Sequence, residues 1–397
     1  MRLRALLIFY LICAAQCAAQ NHTLEVSVTN ESSRDRINEM IEIPVDSIGI
    51  DNNLSYIVID QDGNEHPAQI THNGKLIFQA TTGAGLKTTY TVMQRDPDPH
   101  ASRIATGRIY PEHSREIAWE NEYMGFRLYG PGNQAAGEKV YGYDIFFKHQ
   151  SEEPILEKLY AQETSRSNWA KVDSLRAIDP RLADEFINSF SYHIDHGLGM
   201  DCYAVGPTLG AGTAAIILND TIYYPWCYDK ARVLDNGPLR FTVELDFAPV
   251  DIAGDRSVIE HRRISLDAGS RMNRCSVWYD GLNGERTIIA GFPRRDSSDP
   301  VMDTDNAIIA YADPTQRPDY GKALLGIIIP AGCNDTYGKL GHILIENTIT
   351  PGQTFDYMWG FAWDKTDIRS LNQWYDILKN IKSELEIPLK VTYYRKS

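Results

Sequence analysis

Between residues 239 and 250 the chain reads LRFTVELDFAPV, and apolar and polar side chains alternate through most of it. A period of two places Leu239, Phe241, Val243, Leu245 and Phe247 on one face of a strand, and Arg240, Thr242, Glu244 and Asp246 on the other. One dry face and one wet face is the pattern of an antiparallel sheet packed on one side. The same reading extends through VIEHRRISLD (258–267) and RMNRCSVWYDG (271–281), with turns at Ala268-Gly269 and Asn283-Gly284. Upstream lie IAWENEYMGFRLYG (117–130) and VYGYDIFFK (140–148); downstream lie ALLGIIIP (323–330) and the segment 357–362.

Helical periodicity is scarce. Residues 154–188 are polar and partly helical. One clear amphipathic helix places Leu371, Trp374, Leu378, Ile381 and Leu385 on one face, after a cap expected at Asp367. Long antiparallel strands with one such helix predict an all-β chain built on a large β-sandwich.

The segment 22–94 carries shorter strands. LEVSVTN, MIEIPV and SYIVIDQDGNEHPAQITHNGKLIFQA follow one another, with Asp62-Gly63 and Asn73-Gly74 as hairpin turns. This predicts a small N-terminal β-sandwich over 20–97. RDPDPH (95–100) reads as a linker, and 98–397 as the larger, catalytic domain, closed by a last strand, PLKVTYY.

The first 19 residues read as a secretory signal: Arg2 and Arg4, an apolar run over 5–15, then Cys17 and Ala19 as the small pair before cleavage. A lipoprotein signal at Cys13 or Cys17 is the weaker alternative, because Ile12 and Gln16 break the motif. The expected location is secreted, periplasmic or cell-surface. No later run is apolar enough for a transmembrane segment. The formal net charge of −14, with no basic tract, argues against nucleic acid as a partner. Cys202, Cys227, Cys275 and Cys333 follow the signal, spaced like neither a disulfide framework nor a zinc site, and read as small apolar residues.

The chain lacks a Walker A loop, a third glycine for a dinucleotide fingerprint, G-x-S-x-G and H-E-x-x-H. Its densest polar run is 192–203, YHIDHGLGMDCY, which holds His193, Asp195, His196, Asp201 and Tyr203 among glycines. A His beside a carboxylate there is a candidate acid or base. The same run is also suited to a Ca²⁺ site through Asp195, Asp201 and a His, or to a hydrogen-bonded structural loop. Otherwise no cofactor is evident.

Tyr223, Tyr224, Trp226 and Tyr228 lie close to Lys230 and offer flat faces for sugar rings, or simply core. Tyr141, Tyr143 and Asp144 form a second polar–aromatic candidate. Lys230, Arg262 and Arg274 are candidates to hold a substrate carboxylate, and Glu244 with Glu260 a candidate carboxylate pair.

EYMGFRLYGPG (122–132), YGYDIF (141–146), the run 191–212, NGPLRFTVELDF (236–247) and EHRRISLDAGSRMNR (260–274) together resemble a secreted bacterial family catalogued as a domain of unknown function. The resemblance implies a galactose-mutarotase-like supersandwich and an association with breakdown of uronic-acid-containing polysaccharides. On it rests the expectation of a carbohydrate-active enzyme, a glycoside hydrolase or polysaccharide lyase, acting on uronate-containing oligo- or polysaccharides. The expected catalytic residues are His193, Asp195, His196, Asp201 and Tyr203; the expected binding residues are Tyr143, Trp226, Lys230, Glu260, Arg262 and Arg274. A mutarotase or epimerase on free sugars, and a non-catalytic glycan-binding protein, remain the alternatives.

Overall fold

The computed structural model describes residues 24–98, 102–252 and 254–395. The proposed signal lies outside the described residues. Four sheets organise the described residues, and helices among them are few.

The N-terminal sheet has seven strands, in the order Arg36–Pro44, Lys75–Thr82, Glu65–Ile70, Ser55–Ile59, Lys87–Arg95, Leu24–Thr29 and Lys390–Arg395. The two expected hairpin turns join neighbouring strands, and Gly63 and Gly74 take φ of 85° and 70°, which suits a residue without Cβ. Val26, Val28, Ile41, Ile43, Leu76, Phe78 and Val92, drawn from both ends of the strand order, share one core. The sheet therefore curls over itself. Its seventh strand comes from the far end of the chain, with Leu24 opposite Arg395 and Thr29 opposite Lys390. The closing strand thus belongs to this sheet rather than to the larger unit in which the sequence reading placed it.

The larger unit contains a nine-stranded sheet and two five-stranded ones. In the nine-stranded sheet, Arg240–Phe247, Asp255–Asp267, Met272–Asp280 and Thr354–Trp363 are successive antiparallel neighbours. The alternation read from sequence holds: Phe241, Val243, Leu245 and Phe247 enter the main core with Trp119, Phe126, Tyr143 and Trp359. On the opposite face Arg240 pairs with Asp267 at 2.6 Å and Glu244 with Arg263 at 2.6 Å.

That alternation also separates Glu244 from Glu260. Glu260 shares its face with Val258, Arg262 and Ile264, inside the sandwich. Glu244 points outward, so the two cannot act as a pair.

Ser370, not Asp367, caps the helix Leu371–Glu386. Asp367 instead meets Arg271 at 2.8 Å. Trp374 and Leu378 pack on Ile308, Leu324 and Ile328, whereas Leu385 is exposed, in the last turn where Arg36 of the N-terminal sheet bonds the Glu384 and Ile387 carbonyls. The polar region after 154 folds into the helices Leu156–Glu163, Arg166–Arg176 and Pro180–Asn188. Among the described residues Cys202, Cys227 and Cys275 are buried free thiols, and Cys333 is a free thiol of intermediate exposure.

Candidate functional site

One five-stranded sheet runs Gly199–Met200, Asp144–Lys148, Met124–Leu128, Glu116–Glu120 and Thr106–Tyr110. Its inner face carries Ile117, Trp119, Phe126, Tyr143 and Ile145 into the main core. By the same pleat Glu116, Arg127 and Asp144 emerge on the other face. There the helix Leu156–Glu163 covers them, with Leu156, Leu159 and Tyr160 packing on Ala118 and Phe146. Gly125 permits the close approach, since a Cβ there would lie 3.3 Å from Leu156 and 3.0 Å from Phe146.

Arg127 is the hub of this face. Its Nε donates to Asp144 Oδ2 at 2.9 Å, and Nη2 donates to Asp201 Oδ2 at 2.7 Å and to Tyr129 Oη at 3.1 Å. Glu116 stands 3.7 Å from Nη1 and accepts from Tyr160 Oη at 3.1 Å. Tyr129 donates to Asp144 at 2.8 Å, and His113 Nδ1 meets Glu116 at 3.0 Å. A buried guanidinium among three carboxyls is stable only because each partner is hydrogen-bonded.

The loop 192–203 closes the cluster. The Asp201 amide donates to the carbonyl of Tyr192 at 2.8 Å, which folds the loop back and brings His193 over Asp201. His193 Nδ1 lies 2.9 Å from the Asp201 carbonyl oxygen and 3.7 Å from its Oδ2. A carbonyl only accepts, so Nδ1 carries the proton and Nε2 keeps its lone pair. The imidazole is 51% exposed while the carboxyl beneath it is 2% exposed.

Burial pushes the Asp201 carboxyl up to about 6, against the opposing pull of Arg127. Its Oδ1 is buried without a hydrogen-bond partner. Burial acts upward on Glu116 too, but Arg127 and His113 outweigh it and hold that carboxyl below its usual range. The hydrogen bond to Glu116 raises His113.

The other expected residues scatter. Asp195 is turned toward His149 at 2.8 Å and accepts from the Gly197 and Gly199 amides at 2.8 and 3.1 Å. With Asp195 bound there and Asp201 bound to Arg127, the Ca²⁺ arrangement considered from sequence does not form. Among the described residues no group of three His, Cys, Asp or Glu stands ready to hold a metal. His196 is exposed. Tyr203 is buried away from the hub, beneath Arg295 at 5.3 Å.

Arg262 is wholly buried and spends its donors on Glu260 at 2.5 Å, Tyr143 Oη at 2.8 Å and the Ala214 carbonyl at 2.9 Å. Tyr143 stacks on Trp359 with centroids 4.1 Å apart. Both are interior residues rather than substrate contacts. Arg274 is bound to Asp267 at 2.7 Å and approaches Glu42 of the N-terminal sheet at 3.5 Å. Lys230 is exposed, in register with Asp246. Arg262 and Arg274 are thus taken up by protein carboxylates, and Lys230 lies on the end strand of the nine-stranded sheet.

Trp226 and Glu260, by contrast, line a common cleft of about 350 Å³ with Tyr141, Tyr224 and Asp251. Arg127, Glu116, His113 and Tyr129 were missed by the sequence reading. The available signal was an arginine inside the apolar strand MGFRL, but its partners are distant in sequence.

Fold and site together define a β-sandwich protein with a histidine–carboxylate centre on the outer face of one sheet. The chain belongs to the family described as Domain of unknown function (DUF4861), whose family model matches residues 28–391. It is 25% identical over 298 residues to Uncharacterized protein P7 of Formosa agariphila, covering 72% of this chain and 69% of that protein. Two solved chains from Enterococcus faecalis are also similar. A protein in glycosyl hydrolase family 38 matches 95% of this chain at 9% identity with a TM-score of 0.47. An alpha-mannosidase from strain V583 matches 94% at 9% identity with a TM-score of 0.48. This chain spans just under half of each, 47% and 46%.

Proposed function

We propose that this protein is an exported carbohydrate-active enzyme in which His193 is the base, and that its substrates are uronate-containing oligo- or polysaccharides. The observation that carries the proposal is the half-exposed His193 imidazole, whose Nε2 lone pair is fixed by the 2.9 Å contact of Nδ1 with the Asp201 carbonyl. Asp201 Oδ2, 3.7 Å from the ring, stabilises the imidazolium formed on proton uptake. The residues that build this arrangement come from three of the segments that resemble the family: 122–132, 141–146 and 191–212.

The carboxyls of the cluster are buried against Arg127, so the imidazole is the group a saccharide can reach. This favours proton abstraction over a two-carboxylate hydrolysis. His193 takes the proton from C5 of a uronate, the C5–H electrons form the C4–C5 double bond, and the C4–O bond breaks. The departing oxygen recovers a proton from the imidazolium. A sugar epimerase would use the same base without bond cleavage.

Turnover of uronate-rich and neutral glycans, followed by the ultraviolet absorbance of an unsaturated uronate and by reducing ends, tests this reading. Absorbance with new ends identifies a lyase. Ends without absorbance, or turnover that survives His193→Ala, overturn the mechanism.

A further inference from the structure

The cleft lined by Trp226 is distinct in chemistry from the Arg127 cluster. It is formed where the segment 223–227 and the turn before Asp144 meet the strand Val250–Ile252. Tyr141 and Tyr224 stack at 5.1 Å with a 23° interplanar angle, and Trp226 stands edge-on to Tyr141 at 6.0 Å and 85°. Trp226 Nε1 donates to the Glu138 carbonyl at 3.1 Å, so the indole is held in place before any ligand arrives. The volume of about 350 Å³ falls in the range of small-molecule sites, ~300–1,000 Å³.

Its polar groups are selective by sign. Glu260 and Asp251 line the cleft, with Gln134 and the tyrosines, and no Lys, Arg or His is among the described lining residues. Arg262 fixes one oxygen of Glu260 at 2.5 Å from below and is itself fully buried, so its charge is spent in the interior. Burial also holds the Glu260 carboxyl above its usual range. A ligand carboxylate would meet two acids and no cation here, whereas sugar hydroxyls find a carboxyl and phenols to bond, and a pyranose face finds flat rings.

We propose that this cleft is a saccharide subsite that takes an uncharged pyranose, stacked on Trp226 and its neighbouring tyrosines with Glu260 holding its hydroxyls. This rests on the reading that the chain acts on glycans, and deepens it. The substrate is a mixed chain, with a neutral residue in the cleft and the uronate elsewhere.

Saturation-transfer NMR on the full mature chain, with methyl β-galactoside, methyl β-xyloside and methyl α-rhamnoside against galacturonate, glucuronate and glucosamine, tests it. The expected result is saturation of at least one neutral glycoside that depends on Trp226, with no Trp226-dependent saturation of the uronates or the amino sugar. Trp226→Ala should abolish it and Trp226→Phe should retain it; Tyr224→Ala supplies an independent loss if the Trp226→Ala variant fails to fold. Uronate or glucosamine saturation that is lost in Trp226→Ala as fully as that of the neutral sugars, or neutral binding indifferent to Trp226 and Tyr224, overturns the subsite and leaves the glycan reading standing. Absence of saturation for every sugar overturns both.

Discussion

His193 and Asp201 are joined twice: the ring Nδ1 meets the Asp201 backbone carbonyl at 2.9 Å and its carboxylate at 3.7 Å. The first contact sets the tautomer, and the second supplies charge to the protonated ring. Removing the ring should therefore remove chemistry without removing the fold, because the imidazole is half-exposed. We expect His193→Ala to lower kcat by about 10²–10⁴-fold, with KM and melting temperature little changed. Steady-state kinetics on whichever glycan is turned over, beside a thermal melt, checks this. A His193→Ala protein with near-normal kcat refutes the role.

Arg127 should behave in the opposite way. It neutralises Asp144 and Asp201 at 2.9 and 2.7 Å and stands 3.7 Å from Glu116. Arg127→Met leaves those carboxyls facing one another in a dry site, and breaking such a buried ion pair costs about 3–5 kcal/mol. Denaturant unfolding should show the loss, and Arg127→Lys should recover only part of it because one ammonium cannot reproduce the fork. A variant as stable as the parent would mean the cluster is wetter than its burial implies.

What was legible in advance follows from how local each signal is. Strand alternation around 239–250 and the Asn73-Gly74 turn depend on neighbours within a few residues, so both read correctly. His193 and Asp201 lie eight positions apart and were found as a dense run. Arg127, Glu116 and Asp144 meet only through sheet register and a covering helix, which no single segment encodes. Arg262 misled for a related reason. An arginine on an alternating strand normally faces water, yet here the inward face buries it against Glu260 and Tyr143. Leu385 shares the helical face read from periodicity yet is exposed, since periodicity states which residues share a face but not what packs against each of them.

The raised carboxyl of Asp201 makes a pH-dependent statement about stability. Its pKa goes from 3.8 to about 6 on folding. Between those values the folded chain binds a proton that the unfolded chain has lost, so the contribution of this group to stability falls as pH rises through that window. Asp201→Asn abolishes the titration. The difference in unfolding free energy between parent and variant should therefore shift in the variant's favour by about 1–3 kcal/mol between pH 4 and pH 6.5. Arg127, Asp144 and His193 act on Asp201 directly, so the shift read by the comparison belongs to the coupled cluster that Asp201 completes. Parallel stability curves across that range would show that Asp201 ionises as an ordinary carboxyl.

The strand Lys390–Arg395 ties the end of the chain to its beginning, and that tie can be cut. It covers the edge strand Leu24–Thr29 over six register pairs. Val391 and Leu389 also pack against the core formed by Val26, Val28 and Phe78. Deleting residues 388–397 uncovers a row of unpaired amides and carbonyls on a strand with apolar neighbours, the arrangement that invites edge-to-edge pairing. The helix Leu371–Glu386 and its packing on the nine-stranded sheet are left intact by the cut. The truncated protein should unfold in two steps, the N-terminal sheet first, and should associate at concentrations where the full chain does not. Calorimetry together with size-exclusion chromatography reads both effects. A single transition at the parental temperature, with no association, would show that the other six strands hold without the seventh.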